Sequence, residues 1–332
     1  MNEIVQPKIG HVRFGMGAPV LRKEDNAFIT GKGRYTDDIA PDRALHGYVL
    51  RSPHAHAEFT IGDVMAALES PGVHLVLTAK DTAHLKPLPN VTSIKNRDGS
   101  AIINRDIPIL CDGVVRHVGD AIAFIVADSV AEARDAAELI EVDFDTLPVA
   151  VDTVACLAED APLVYPQAGT NLAFTTFMGD AEKTATAFAG AAKVTTLRIV
   201  NSRLVCNYME TRSCISEWNE AEGYTVTVCS QGVHGLRNHL ARITGEAPER
   251  LRVITPDVGG GFGTKAFAYR EYPLTMEAAR RLGRPVKWTC DRSEHFVADA
   301  HGRDNVAVAR MAMDAQGRFL AVEIDLIAAM GA

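Results

Sequence analysis

Four glycines fall within five consecutive positions in Gly259-Gly260-Gly261-Phe262-Gly263, followed by Thr264-Lys265. Glycine accepts positive φ and leaves the main chain bare. Such a loop can aim successive N–H groups at an anion or let a flat ligand lie against the backbone. Neither familiar phosphate motif is present. A P-loop needs Gly-Lys-Ser/Thr, whereas the order here is Gly263-Thr264-Lys265, and a Rossmann fingerprint starting at Gly259 needs a glycine where Thr264 stands. A purely structural tight turn is the competing reading, because punctuation is glycine's commonest use.

Other reactive residue types are scattered. His54 and His56, in Ser52-Pro53-His54-Ala55-His56-Ala57, share one face of a strand, but no further metal ligand can be placed beside them, which favours a structural role. His117, in Arg116-His117-Val118-Gly119-Asp120, precedes an apolar run and reads as a packing residue. Glu210, in Tyr208-Met209-Glu210-Thr211, lies in a mostly uncharged stretch; a partly buried functional carboxylate and a solvated or salt-bridged one are equally open. No Ser-His-Asp arrangement or nucleophile elbow is readable. The six cysteines form no CxxC pair and no zinc spacing with histidine, so reduced, mostly buried thiols are expected.

Composition narrows the classes. The 332 residues suggest two domains, and 47% hydrophobic with 23% charged residues excludes a disordered chain. The net charge of −8, without a basic block, argues against nucleic-acid binding. No apolar stretch approaches the roughly 20 residues that cross a bilayer. Met1 to Lys8 lacks the apolar core of a signal peptide, so a cytoplasmic location is expected.

Strands and helices alternate in the first part of the chain. Leu45–Ser52 reads as a strand, and Ala121–Ala127 as one buried on both faces. Ser129 and Glu132 form a capping box for a helix whose buried face carries Val130, Ala133, Ala137 and Ile140, and Val142, Phe144 and Thr146 alternate as a half-buried strand. Residues 151–170, broken by Asp160-Ala161-Pro162 and Tyr165-Pro166, read as a connector. Further strands are expected at Lys193–Val200, Tyr224–Val228, Leu251–Ile254 and Val286–Cys290. One helix sets Leu236, Leu240 and Ile243 on one face and stops at Gly245; another carries Leu274, Ala278 and Leu282 before Gly283. Asn305–Met313 and Phe319–Ile327 flank Asp314-Ala315-Gln316-Gly317 as a hairpin.

Five ordered motifs carry a resemblance from about Gly17 onward. They are Arg22-Lys23-Glu24-Asp25 with Thr30-Gly31-Lys32-Gly33-Arg34-Tyr35; Ser52-Pro53-His54-Ala55-His56-Ala57; Val118-Gly119-Asp120; Asp257-Val258-Gly259-Gly260-Gly261-Phe262-Gly263; and Asp299-Ala300-His301-Gly302-Arg303-Asp304. In this order they resemble the N-terminal part of the molybdopterin-binding large subunit of the xanthine dehydrogenase, aldehyde oxidase and carbon monoxide dehydrogenase family.

The resemblance implies an α+β protein: an α/β hammerhead domain over residues 1–150, a connector over 151–170, and the first part of a molybdenum-cofactor domain over 171–332. It assigns cofactor binding to Gly259, Gly260, Gly261, Phe262 and Gly263, and to Gln231, whose amide matches the family glutamine that approaches an oxygen ligand of molybdenum. The missing Cβ of Gly261 is expected to leave room for the ligand. The implied cofactor is molybdopterin, as its cytosine dinucleotide, with molybdenum; FAD and [2Fe–2S] clusters belong to partner subunits. The implied substrates are an aldehyde, an N-heterocycle or carbon monoxide, with water as the oxygen source. Ala266 stands where purine-oxidising relatives carry a glutamate, so the carbon monoxide dehydrogenase-like branch fits better. The family's base, a glutamate near the far end of the subunit, has no counterpart, so no catalytic residue and no metal ligand is assigned. The expected partners are a C-terminal molybdopterin-domain chain, an iron–sulfur subunit and an FAD subunit. A non-catalytic fragment or an assembly module retaining the fold is the alternative.

Overall fold

The computed structural model describes residues 15–16, 21–90 and 92–331; the reading of Met1 to Lys8 and the start of the resemblance at Gly17 lie outside the described residues. In chain order the elements are α1 (Asp25–Ile29), β1 (Leu45–Arg51), β2 (Ala57–Ile61), α2 (Met65–Leu68), β3 (Val73–Leu77), α3 (Ala79–Thr82), β4 (Val114–Val115), β5 (Ala121–Ala127), α4 (Val130–Ala137) and β6 (Val142–Thr146). Two 3-10 turns occupy the connector. Then follow α5 (Ala181–Ala189), β7 (Lys193–Asn201), β8 (Leu204–Val205), β9 (Ser213–Asn219), β10 (Gly223–Val228), α6 (Val233–Thr244), β11 (Leu251–Ile254), α7 (Glu271–Leu282), β12 (Val286–Thr289), α8 (Arg292–Ala298), β13 (His301–Gly302), β14 (Asn305–Met313) and β15 (Phe319–Ala328).

One mixed sheet, in the order β11-β10-β9-β12-β1-β5-β3, joins strands from before and after the connector. The join is the parallel pair β1–β12, with Leu45 opposite Val286, and it makes a single core of both halves. β5 is buried along its whole length, as its unbroken apolar run requires. A Cβ on Gly47 would stand 2.6 Å from Phe124 Cε2, so glycine there lets the ring lie across β1. α6 and α7 contribute Leu236, Leu240, Leu274 and Ala278 to the larger core, while α4 seals the far side of β5 with Ala133, Ala136 and Ala137.

Several expectations need correction. Val130 is 38% exposed, because the buried face of α4 is built from small alanines and Ile140, and Val130 sits at its first turn. The capping box is altered: Ser129 Oγ accepts the Glu132 N–H at 3.2 Å, but donates to the Glu132 carboxylate at 2.7 Å instead of leaving that carboxylate for the backbone. α5 and α8 were not expected; Asp180 and Asp291 cap them by accepting from the N–H groups of Lys183 and Glu294. β9 was also missed, since its Ser-Cys-Ile-Ser start is buried on both faces and shows no alternation.

β15, β14 and β7 form a second sheet. Ala309 lies opposite Leu197 and Ile324, and Ala307 opposite Ile199 and Leu326. Their shared face is apolar and exposed: Leu197, Ile199, Ile324 and Leu326 are all in contact with solvent among the described residues. α5 lies on the opposite face, where the Arg310 guanidinium packs on the Phe188 ring. No helix among the described residues is long and apolar enough to cross a membrane.

Candidate functional site

The glycine loop follows β11 and is anchored at both ends. Before it, the Asp257 carboxylate accepts the Arg34 N–H at 2.7 Å, and the Asp257 N–H donates to the Arg34 carbonyl at 3.1 Å, which joins the Thr30–Tyr35 motif to the loop's approach. Within the loop Gly260 and Gly263 have φ of +93° and +100°, and Phe262 has φ of +46° and is 74% exposed. The chain turns on itself through the Thr264 N–H and Oγ1, both donating to the Gly261 carbonyl.

Gln231 lies beside this loop, as the resemblance implies. Its Oε1 accepts the Gly263 N–H at 2.9 Å and its own N–H donates to the Lys265 carbonyl at 3.0 Å. The bond at Oε1 fixes the amide, and Nε2 remains available as a donor. Neither Nε2 nor the N–H groups of Gly260, Gly261 and Phe262 find a partner among the described residues. Three successive free N–H groups and one amide donor suit a flat ligand rich in acceptors.

The expected role of Gly261 is corrected. A Cβ there would stand 2.6 Å from Gln231 Oε1, so the missing side chain makes room for Gln231 itself. Gly259 and Gly260 likewise accommodate protein, since Cβ atoms on them would stand 2.5 Å from Glu210 Cβ and 2.9 Å from Tyr208 Cβ. Of the four loop glycines, Gly263 alone faces open space.

A buried charge network supports the loop. Glu210, left open between two roles by the sequence, is salt-bridged: its Oε2 lies 2.8 Å from Nζ of fully buried Lys265. Lys265 Nζ stands 4.4 Å from the centroid of the Tyr208 ring. The Tyr208 hydroxyl donates to Asp299, which pairs with Arg212 Nε at 2.6 Å. Arg212 continues to Glu271 at 2.8 Å, and Glu271 to Arg51 on β1 at 2.6 Å. Burial raises the Glu271 pKa, but the charges of Arg212 and Arg51 prevail and bring it down to about 2. Burial, reinforced by the bond to Asp299, pushes the Tyr208 hydroxyl far above its ordinary value. Arg212 and Glu271 were not singled out in the sequence, because isolated charges there carry no periodic signal.

The remaining motifs are structural. His54 packs on the Phe144 ring at 4.7 Å, and His56 Nδ1 lies 2.8 Å from the Pro148 carbonyl. Asp120 accepts from Arg270 at 2.7 Å and pairs with His117 at 2.9 Å; burial opposes its ionisation, but these partners hold its pKa well below the carboxylate range. Cys111, Cys214, Cys229 and Cys290 are buried and free, and Cys156 and Cys206 are half-buried.

Comparison with known proteins places this geometry. A family profile for the molybdopterin cofactor-binding domain matches residues 164–332, and one for the aldehyde oxidase and xanthine dehydrogenase a/b hammerhead domain matches residues 30–148. The carbon monoxide dehydrogenase large chain of Hydrogenophaga pseudoflava is 33% identical over 96% of this chain and 40% of its own length. The nicotine 6-hydroxylase large subunit of Paenarthrobacter nicotinovorans is 33% identical over 96% of this chain and 38% of its own length. Quinoline 2-oxidoreductase from Pseudomonas putida 86 superposes with a TM-score of 0.85 at 34% identity, covering 93% of this chain and 39% of that one. The chain thus spans about two-fifths of the length of the relatives it matches. With the glycine loop inside the matched region, the chain belongs to the molybdopterin cofactor-binding family of the xanthine dehydrogenase, aldehyde oxidase and carbon monoxide dehydrogenase large subunits and corresponds to a part of such a subunit.

Proposed function

We propose that this chain provides the glycine-loop portion of the cofactor site in a molybdenum-dependent oxidoreductase acting on an aldehyde, an N-heterocycle or carbon monoxide. The observation that carries the reading is the fixed Gln231 amide beside the free N–H groups of Gly260, Gly261 and Phe262. In this reading Gln231 and Gly259–Gly263 hold molybdopterin, as the cytosine dinucleotide. The cofactor, when bound, supplies two-electron oxidation of the substrate carbon. The chain's own residues then bind and orient: the amide offers one uncharged donor, the loop N–H groups accommodate acceptors, and Phe262 presents an apolar ring beside them. Ala266, which is exposed and offers no carboxylate, disfavours a purine.

The general base and the rest of the substrate pocket come from outside this chain, and FAD and [2Fe–2S] clusters from partner subunits, in the cytoplasm. The polypeptide equivalent to the relatives' remaining length covers the apolar face of β7, β14 and β15; its Leu197, Ile199, Ile324 and Leu326 form a contiguous surface of the kind that interfaces bury. The division into residues 1–150, 151–170 and 171–332 belongs to this proposal; it describes sequence segments, since one sheet crosses it.

The test is turnover of the assembled protein with a dye acceptor and a panel of aldehydes, N-heterocycles and carbon monoxide. Oxidation of one class, lowered in Gln231→Ala at equal molybdenum content, supports the reading. No oxidation at full metal loading contradicts it and favours a non-catalytic assembly module; unchanged turnover in Gln231→Ala contradicts the role given to Gln231.

A further inference from the structure

Glu210 makes more contacts with the glycine loop than its ion pair alone requires. Its Oε2 accepts the Gly259 N–H at 2.8 Å and faces Lys265 Nζ at 2.8 Å; its carbonyl accepts from the same Nζ at 2.8 Å; its N–H donates to the Gly259 carbonyl at 3.2 Å. One residue thereby ties the first position of the loop, Gly259, to Lys265, two positions beyond its last. Lys265 carries the tie onward, because its carbonyl accepts from the Gln231 N–H at 3.0 Å and from Ser230 Oγ at 3.3 Å. The contact needs glycine at 259, where a Cβ would stand 2.5 Å from Glu210 Cβ.

From this arrangement we infer that Glu210 is a positioning residue: with Lys265 it forms a charge-neutral clasp that closes residues 259–265 into a ring and sets the Gln231 amide before any ligand arrives. The inference rests on the proposed cofactor site for its consequence, but the clasp itself is a property of this chain. Its chemistry suits the task. The ammonium is fully buried and the carboxylate side chain is 10% exposed, so neither can turn to water without leaving its partner buried and unpaired. Two of the ammonium's donors go to Glu210 and the remainder faces the Tyr208 ring. The pair's side-chain hydrogen bonds go to the loop and to each other, so loosening it frees the loop before it unfolds the protein.

The decisive variants are Glu210→Gln, Lys265→Met and the two combined. Amide hydrogen exchange of the full chain, free of cofactor, reads the clasp. In either single variant exchange at the hydrogen-bonded amides of Gly259, Gly263 and Thr264 is expected to rise at least about tenfold, while amides in β5 and α6 keep their protection. The double variant, neutral again, is expected to recover part of that protection. Molybdopterin content of the protein purified from its native cells reads the consequence, and is expected to fall at least about threefold in the single variants, as fits a displaced site. Unchanged loop exchange in both single variants overturns the clasp. Loss of protection throughout the chain also overturns it, by making the pair a support of the whole fold. A wild-type protein without molybdopterin, whose loop nevertheless loosens in Glu210→Gln, leaves the clasp standing and refutes the cofactor reading instead.

Discussion

Replacing Gly261 by alanine separates damage to the site from damage to the fold. A Cβ at this position would stand 2.6 Å from Oε1, 2.7 Å from Cδ and 3.0 Å from Cγ of Gln231. Carbon needs about 3.5 Å to such neighbours, so the amide must retreat by roughly 0.9 Å, the difference between 3.5 and 2.6 Å. Directed away from the Gly263 nitrogen, that movement carries Oε1 from 2.9 Å to at most roughly 3.8 Å, beyond hydrogen-bond range. All three obstructing atoms belong to one exposed side chain, so the backbone need not shift. The lost bond is worth about 1 kcal/mol, or roughly 1–3 °C in Tm for a chain of this size. The functional cost is larger, because a displacement of about 1 Å in a positioned group can reduce turnover on the order of a hundredfold. Differential scanning fluorimetry, metal analysis and turnover on the same preparation give the comparison. A large thermal loss, or turnover equal to wild type, would refute the reasoning.

Further perturbations test the supports of the site. Gly119→Ala has the opposite profile: φ is +99° and the new Cβ would stand 2.8 Å from the Val297 carbonyl carbon, so backbone must move and stability should fall by about 2 kcal/mol or more; an unchanged Tm would contradict this. Arg212→Met leaves buried Glu271 and Asp299 without their shared guanidinium and is expected to cost about 3–5 kcal/mol in chemical denaturation, so a shift below about 1 kcal/mol would count against the network. Glu271 titrates near 2 in the folded chain against an ordinary 4.5, so its depressed pKa stabilises above 4.5; about 3 kcal/mol is lost as pH falls from 4.5 towards 2, and a flat Tm across that range would exclude it.

The elements with local signals were legible in the sequence. β5 follows from an unbroken apolar run, and α6 from the spacing of Leu236, Leu240 and Ile243 before Gly245, which takes the expected left-handed φ of +77°. The loop's position and Gln231's nearness to it came from residue identity and motif order. The reason for each glycine did not, because it lies in tertiary contact: Gly259 meets Glu210 and Gly261 meets Gln231, at sequence separations of 49 and 30 residues. Lys265 was visible only as a failed P-loop lysine, since neither its burial nor its partner 55 residues away leaves a local trace. The sheet that unites β1 with β12 was hidden for the same reason; two apolar strands carry no mark of which will pair.

Native mass spectrometry of the protein purified from its own cells tests the central claim most directly. The expected result is a complex in which this chain is joined to further polypeptide and carries molybdenum with a molybdopterin mass, lost or depleted in Gly261→Ala. The chain alone, with neither metal nor pterin bound, would contradict the assignment of Gln231 and Gly259–Gly263 as a cofactor site.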